Sequence, residues 1–499
     1  MRIKPTKLIS LLSGTLALVI VVYSVFHSGI TIAASFADNL PPGYTVYPGQ
    51  LAIGKACTCA TGGISGAPAP PPPCNVEPCF GSSNTRYAWV TTSTPGIDSK
   101  FCNELRKSRS QSAIPPCFQL DGDDALVLSG SMAPAQNLTY YSFNLYQSFT
   151  YSNKFPSNYA GIQTSVNIGL NNSNLRIGNN GQYVLIVTAS TSTLNTIKNA
   201  LKTAGVPDQI VSSYLVPASV ANLGTLYYPD QLSFLLRLTA QSDAERQQLN
   251  TFLQQNARAT KIAFVKGPGI KGDITFNDIP KWENRLGVNK LEYSLGLDKK
   301  LTALEQVVTN SYAKQGYKLK ARLPEKLVHA DPNSCRATPE TCAYDSPDAL
   351  YISYPCDFSP TALRTGNCYY QLPGNSDDVL MLLGVNHPLV STKPLATYFS
   401  EESKAIPGSK DGTFSFVGLY TKGSANQYLQ PSNGANLYAV KIARDCGTQP
   451  YCAAVPYLGG IPEKTGFYIL GRIYLDKNIK TAPNPENLVP SVLLWFTKG

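Results

Sequence analysis

The stretch "CFQLDGDDALVLSG", Cys117 to Gly130, returns some 250 residues later as "CYYQLPGNSDDVLMLLG", Cys368 to Gly384. Each copy has a cysteine, an aromatic residue, Gln-Leu, a turn with paired acids, and an apolar run closing on glycine. The run "ALVLSG" has the composition of a strand, and the Gly/Asp cluster before it has that of a turn. One chain writing the same cysteine–turn–strand unit twice points to an internal duplication.

The match extends outward in the same order. "YAWV" (Tyr87–Val90) corresponds to "LYIS" (Leu350–Ser353), and Cys102–Cys117 to Cys356–Cys368. "YYSFNLY" is matched to "FSFVGLY" (Phe414–Tyr420), and "GQYVLIVTAS" (Gly181–Ser190) to "ANLYAVKIAR" (Ala435–Arg444). "LSFLLRL" corresponds to "GFYILGRIYL", which sets Arg237 opposite Arg472. The expected fold is mainly β with α insertions (α+β), as two related β-sandwich or jelly-roll-like units. The expected division is an N-terminal segment 1–34, a Cys/Pro-rich loop segment 35–84, a first β-rich unit with helices 85–265, a helical connection 266–333 and a second β-rich unit 334–499.

Helices are expected at three places. "TSTLNTIKNALKTAG" has a Ser/Thr start, apolar Leu194, Ile197 and Leu201 at helical spacing, and Gly205 as a stop. "SDAERQQLNTFLQQNA" opens with Ser242 and carries Glu245 three residues on, a capping-box pattern. The third is "KLTALEQVVTNSYAKQG", Lys300 to Gly316.

Two longer stretches, "GFYILGRIYLDKNIKTAPNPENLVPSVLL" (Gly466–Leu494) and "LTYYSFNLYQ" (Leu138–Gln147), resemble patterns in uncharacterised jelly-roll-like domains of exported bacterial proteins. The resemblance implies a β-sandwich and carries no chemistry.

Arg2, Lys4 and Lys7 precede an apolar run from Leu8 to Phe26, and "GITIAASFADN" then offers small residues at cleavage spacing. A cleaved signal peptide is expected; an uncleaved membrane anchor is the alternative, since the run is near spanning length. The protein is therefore expected outside the cytoplasm, in the periplasm, the cell envelope or the medium, touching membrane only through that segment. The net charge of +10 includes its three basic residues. The rest of the excess is scattered, with no basic stripe interleaved with aromatics, so no nucleic-acid partner is expected and other partners stay unknown.

Twelve cysteines in an exported chain read as disulfides. Short loops suggest Cys102–Cys117, Cys335–Cys342, Cys356–Cys368 and Cys446–Cys452, leaving Cys57, Cys59, Cys74 and Cys79 for two more bonds of open connectivity. Zinc on those last four is the rival, disfavoured by the proline tract between them and by the oxidising compartment.

The candidate binding residues are Asp123, Asp124, Asp377, Asp378, Arg237 and Arg472. Oxygen-rich turns can hold Ca²⁺, but the calcium-loop spacing and its distal Glu are missing, so a fastened turn is preferred and no cofactor or metal is expected. The arginines would bind an anionic ligand or pair with the aspartates, and the structural pair is preferred. Gly267-x-Gly269-x-x-Gly272 follows a short strand, yet Pro268 removes a donor that a phosphate cradle needs, so it reads as a loop. His329 and His387 lack a nucleophile elbow or zinc motif, and Ala133 stands opposite His387 in the first copy. No catalytic residue is assigned. Alternation puts Tyr141, Phe143 and Leu145 in a core and Tyr140, Ser142 and Asn144 on a solvent or ligand face. The expected role is a ligand-binding or structural exported protein; a secreted hydrolase with its site between the units is the alternative.

Overall fold

The computed structural model describes residues 36–53, 85–94, 100–108, 116–151, 159–167, 169–223, 229–269, 289–328, 346–354, 376–390, 394–405, 415–417, 421–456, 467–476 and 479–499. The N-terminal segment, His329, Gly272 and the cysteines at 57, 59, 74, 79, 335, 342, 356 and 368 lie outside the described residues. Cys102–Cys117 and Cys446–Cys452 are disulfides, as their short loops suggest. The chain is a β-rich α+β protein.

The first group of strands is β1 (Thr45–Ile53), β2 (Thr85–Thr91), β3 (Ala125–Ser131), β4 (Tyr140–Tyr151), β5 (Tyr159–Ser165), β6 (Leu170–Asn171), β7 (Gln182–Thr188), β8 (Val211–Leu215), β9 (Gln231–Thr239) and β10 (Lys261–Lys266). They form a 10-stranded sheet in the order β5-β4-β9-β2-β1-β10-β3-β7-β8, with β6 added to β4. Only the β7–β8 ladder in this sheet is parallel. The fold turns on β1. Thr45–Gly49 pair with β10, and Gln50–Ile53 pair with β2. One strand thus passes from one half of the sheet to the other, and the halves close over a shared core. Leu126, Leu128 and Leu185 enter it from one side and Phe143, Phe234 and Leu236 from the other. Strand alternation fixes which residues enter, because a one-residue slip would turn every one of them outward.

Residues 35–84, read above as loop, therefore contain a central strand. "TVYPGQLAI" hides it by placing Pro48 and Gly49 in the middle. The structure uses both at the crossing point. A Cβ on Gly49 would lie 2.8 Å from the Ile262 side chain and 2.9 Å from that of Phe264.

The second group is β11 (Tyr317–Pro324), β12 (Lys326–Leu327), β13 (Ala349–Tyr354), β14 (Val379–Val385), β15 (Tyr398–Ala405), β16 (Ser415–Val417), β17 (Leu437–Ala443), β18 (Cys452–Ala454), β19 (Phe467–Tyr474) and β20 (Val492–Lys498). These make two 5-stranded sheets, β11-β20-β14-β17-β18 and β12-β13-β19-β15-β16. Leu380, Leu382 and Val440 face Ile352, Phe399 and Ile469 across a second core. β11 and β12, read above as part of a helical connection, pair with β20 and β13 of these sheets.

Among the described residues the helices are α1 (Lys100–Ser108), α2 (Thr191–Thr203), α3 (Asp243–Gln254), α4 (Asn256–Ala259), α5 (Leu291–Ser294), α6 (Leu297–Lys314) and α7 (Pro431–Gly434). Ser190 caps α2 by accepting from the Thr193 N–H, and Gly205 follows it at φ +80°. Ser242 caps α3 by accepting from the Glu245 N–H. The Glu245 side chain accepts from the Gln241 N–H at 2.8 Å and the Thr139 hydroxyl at 2.7 Å, so it ties the helix start to the turn before β4. Leu194, Ile197 and Leu201 of α2 cover the outer side of β3, β7 and β10. Leu301, Leu304 and Val308 of α6 do the same for β14, β17 and β20. Among the described residues no helix is long and apolar enough to cross a membrane.

With a helix over one sheet of each sandwich, the other sheets meet. Tyr140, Ala349, Tyr351, Tyr398, Tyr474 and Leu475 form one buried cluster drawn from both groups of strands. The Tyr140 and Tyr474 rings lie 4.6 Å apart. The outer face of β2-β9-β4 is thus joined to the outer face of β13-β19-β15.

Candidate functional site

The junction between the two sandwiches is built from one pattern used twice. On β9, Leu236 and Leu238 point into the first core, so Arg237 between them points outward. Its cross-strand neighbours are Tyr87 on β2 and Ser142 on β4. On β19, Arg472 has Tyr351 on β13 and Ser400 on β15 as its neighbours. Two Tyr–Arg–Ser rows therefore stand on the two joined faces. In each, the guanidinium sits by the ring of its own row: 5.6 Å from the Tyr87 centroid for Arg237, and 5.9 Å from the Tyr351 centroid for Arg472.

The rows interlock. Arg237 Nη1 donates to the Tyr351 hydroxyl of the other row at 3.4 Å, and Nη2 donates to the Tyr146 hydroxyl at 3.1 Å. Burial works against the charge on Arg237, and the oxygens of Tyr146, Tyr351 and Tyr474 outweigh it, holding its pKa well above the ordinary value. Tyr140 donates to Asp348 Oδ2 at 2.8 Å, and its hydroxyl lies 2.6 Å from Ser142 Oγ, which also accepts from Asn144 Nδ2 at 2.7 Å. Burial, with the Asp348 carboxylate beside it, pushes the Tyr140 hydroxyl well above its usual range. Tyr141, Phe143 and Leu145 lie in the core as alternation requires. Tyr140, Ser142 and Asn144 are buried as well, against the other sandwich rather than water.

The aspartates lie elsewhere, at the start of β3 and β14, in the sheets that carry α2 and α6. Asp124 Oδ2 accepts from the Asp121 N–H at 2.8 Å and from Lys266 Nζ at 2.8 Å; Oδ1 accepts from the Gly267 N–H at 3.0 Å. Asp123 Oδ2 accepts from the Gly269 N–H at 2.7 Å. The glycine loop and the acidic turn, singled out separately in the sequence, are thus two halves of one corner. Gly267 is required there because a Cβ would run into Asp123. Thr188 and Thr193 donate to the backbone carbonyls of Asp124 and Asp123, which fastens the corner to β7 and α2. Burial raises the Asp124 pKa, and Lys266 with the Asp121 and Gly267 amides offsets it only in part. At the start of β14 Asp378 Oδ2 accepts from Trp495 Nε1 at 3.1 Å, while Asp377 forms an exposed pair with Lys498 at 3.4 Å.

His387 is fully buried inside the second sandwich, not between the two. Its Nδ1 is 2.7 Å from Glu292 Oε1, and Glu292 Oε2 accepts from the Val489 N–H at 2.7 Å. Burial lowers the imidazole pKa and the Glu292 carboxylate raises it more, so the net movement is upward. Nearby, Glu325 Oε2 accepts from the Ser491 amide at 2.8 Å, from the Ser491 hydroxyl, and from Tyr354 at 3.4 Å. Glu325 is half-exposed as a residue, but its carboxyl points inward to these partners. Burial raises its pKa against their pull. Glu401 on β15 is also buried in this sandwich, next to Gly471, where a Cβ would come 2.9 Å from its carboxyl. Glu401 pushes the Tyr354 and Tyr438 hydroxyls up further, after burial itself.

Glu292, Glu325, Glu401, Tyr351 and Ser400 were not singled out from sequence. One signal was available: "TYYSF" (Thr139–Phe143) recurs as "TYFSE" (Thr397–Glu401). It carries both serines of the rows and marks the place where a core Phe in one stretch stands as Glu in the other.

No family model and no curated protein matches the chain. Among solved structures it is similar to the VPA0106 protein from Vibrio parahaemolyticus, with 11% identity and TM-score 0.34 over 76% of this chain and 88% of that one. It is also similar to a proposed secreted protein from Parabacteroides distasonis ATCC 8503, with 7% identity and TM-score 0.20 over 93% of each chain. A third is the tandem CBM22 segment of Xyn10C from Paenibacillus barcinonensis, with 8% identity and TM-score 0.13 over 93% of this chain and 96% of that one. At such TM-scores these likenesses carry no argument, and function has to be read from the residues.

Proposed function

We propose that the chain is an exported, disulfide-stapled protein with a binding or structural role rather than a catalytic one, built from two copies of one sandwich unit fused through their outer faces. The observation that carries this reading is the Tyr–Arg–Ser row, present in the same cross-strand register on β2-β9-β4 and β13-β19-β15.

Pairing order supports the duplication. The ladder series β8-β7-β3-β10-β1 has its counterpart in β18-β17-β14-β20-β11, with the first ladder parallel in both. The series β1-β2-β9-β4-β5 has its counterpart in β12-β13-β19-β15-β16. By this order the partner of "TYYS" in β4 is "TYFS" in β15, and not the aromatic stretch 414–420. A corner recurs too. Gly130 pairs with Tyr183 beside Thr260, and Gly384 pairs with Tyr438 beside Ser491. Each glycine leaves space that a tyrosine hydroxyl and a small hydroxyl residue fill.

Two things support a role without catalysis. The recurring charged residues are engaged in joints: Asp124 with Lys266 and backbone amides, Arg237 with tyrosines of both units. The junction also buries the faces that a pair of separate sandwiches would offer to substrate. Export is supported by the basic-then-apolar N-terminus and by the disulfides.

A hydrolase with its site between the units draws nothing from His387, which lies inside the second sandwich; a hydrolase site within that sandwich has one favourable observation, the His387–Glu292 pair in the same sandwich as Ser491 and Glu325. A panel of chromogenic esters, glycosides and phosphate esters tests between the two. The binding or structural reading expects no turnover above buffer. Turnover that disappears in His387→Asn would overturn it in favour of the hydrolase.

A further inference from the structure

We propose that the junction holds an oxyanion group — carboxylate, sulfate or phosphate — on the second Tyr–Arg–Ser row, between Arg472, Ser400 and Tyr474. The inference deepens the binding reading above and rests on it.

The two rows share their register but not their bonding. In the first, Ser142 Oγ is engaged by Asn144 Nδ2 and lies against the Tyr140 hydroxyl. In the second, Ser400 Oγ has no hydrogen-bond partner among the described residues, although Ser400 is fully buried. The Tyr474 hydroxyl is in the same condition, with Tyr474 1% exposed. Both belong to the face that carries Arg472: Ser400 is its cross-strand neighbour, and Tyr474 is two residues along the same strand. A buried hydroxyl with no partner is costly, so two on the face that carries Arg472 call for a group that accepts from both hydroxyls and from the guanidinium. An oxyanion does that. It is acceptor-only, and a planar guanidinium with flanking O–H donors matches its geometry.

Electrostatics favours the same occupant. Arg237 and Arg472, 2% and 9% exposed, both approach Tyr351: one through the hydroxyl, the other near the ring. Against the buried carboxylate at the junction, Asp348 on Tyr140, the two guanidiniums leave a net positive field in a medium of low dielectric, which favours a negative group. Arg472 is the more exposed of the two, which sets the side of approach.

Ser400→Ala is the informative variant, because it removes a hydroxyl that bonds to none of the described residues and should leave the fold intact. Titration calorimetry on the oxidised mature chain, with sodium phosphate, sulfate and acetate in turn at ionic strength matched by chloride, reads the site directly. The expected result is saturable uptake of one anion per chain for at least one of the three. Ser400→Ala and Arg472→Gln should each weaken it by about tenfold or more, which is what the loss of one charge-assisted bond produces. Absence of saturable uptake for all three anions, or uptake unchanged in both variants, would overturn the proposal. Neither result bears on the hydrolase panel, so failure of this site and failure of the non-catalytic reading are told apart.

Discussion

Arg237 on β9 crosses from one sandwich to the other and donates to the hydroxyl of Tyr351 on β13, at 3.4 Å. Tyr351 is the aromatic member of the Tyr–Arg–Ser row on the far side, so the first row bonds into the second. That single bond joins residues 114 positions apart in sequence. It explains why a face that alternation alone assigned to solvent is buried. It also places the recurring arginines in the joint between units instead of beside the recurring aspartates.

The acidic corner should behave as a structural clamp. Asp124→Ala removes the acceptor of the Asp121 and Gly267 amides and of Lys266, and should cost about 2–3 kcal/mol as those donors lose their partner. Asp377→Ala, at an exposed pair with Lys498, should change stability by less than about 0.5 kcal/mol. Urea unfolding midpoints of the two variants check this; equal effects would contradict it.

Two buried groups make stability depend on pH with the same sign. The Glu325 carboxyl is raised above its ordinary 4.5 by burial, against the hydrogen bonds from Ser491. His387 is raised above its ordinary 6.5 because Glu292 outweighs burial. In both cases the folded state holds the proton more tightly than the unfolded state. Their stabilisation is therefore complete below the unfolded values and is lost as pH rises through the folded ones. Thermal midpoints against pH should fall less steeply above 4.5 in Glu325→Gln, and less steeply above 6.5 in His387→Gln. A variant profile that runs parallel to the wild type throughout would refute the assignment.

The two cores differ at pairs that the proposed duplication would match, and the difference can be exchanged. Phe143 pairs with Leu236 across β4 and β9; Glu401 pairs with Gly471 across β15 and β19. Gly471 leaves the room that the Ile352 side chain and the Glu401 carboxyl fill, 2.5 and 2.9 Å from where its Cβ would lie. Gly471→Ala alone should cost about 1–3 kcal/mol through overpacking. The triple change Glu401→Phe, Gly471→Leu and Ile352→Ala copies the first core, where Leu236 lies between Phe143 and Ala88, and removes a buried carboxylate. It should be neutral or stabilising by about 1–4 kcal/mol. Denaturant unfolding decides, and a triple variant less stable than Gly471→Ala would contradict the equivalence of the two cores.

The Cys102–Cys117 bond ties α1 to the segment leading into β3 and closes a loop of 15 residues. Replacing both cysteines by serine should cost about 3 kcal/mol. Comparison of oxidised wild type with the double serine variant in urea measures it; no difference would mean that the crosslink constrains nothing the fold needs.

Local signals carried much of this fold. Ser190, Gly205 and Ser242 marked the ends of α2 and α3 because caps are set by neighbours in sequence. "ALVLSG", "GQYVLIVTAS" and "LSFLLRL" read as strands because each is a short apolar run between turns. β1 was hidden, since Pro48 and Gly49 are poor strand formers that the crossing between sheet halves requires. The rows were half legible. Arg237 and Arg472 could be aligned within their strands, but Tyr351 and Ser400 become their neighbours only through cross-strand pairing. That pairing depends on register over long stretches of chain. Glu292 and Glu325 had no local signal, because nothing near either in sequence says that His387 or Ser491 will come to meet it.

The Tyr–Arg–Ser rows hold the two β-sandwiches together through the Arg237–Tyr351 bond. A double-mutant cycle between Arg237→Ala and Tyr351→Phe, read by equilibrium unfolding, tests it most directly. If the rows interlock, the two losses should fall short of additivity by about 1 kcal/mol or more, because each variant removes the same bond between units. Losses that add to within about 0.3 kcal/mol would contradict the account.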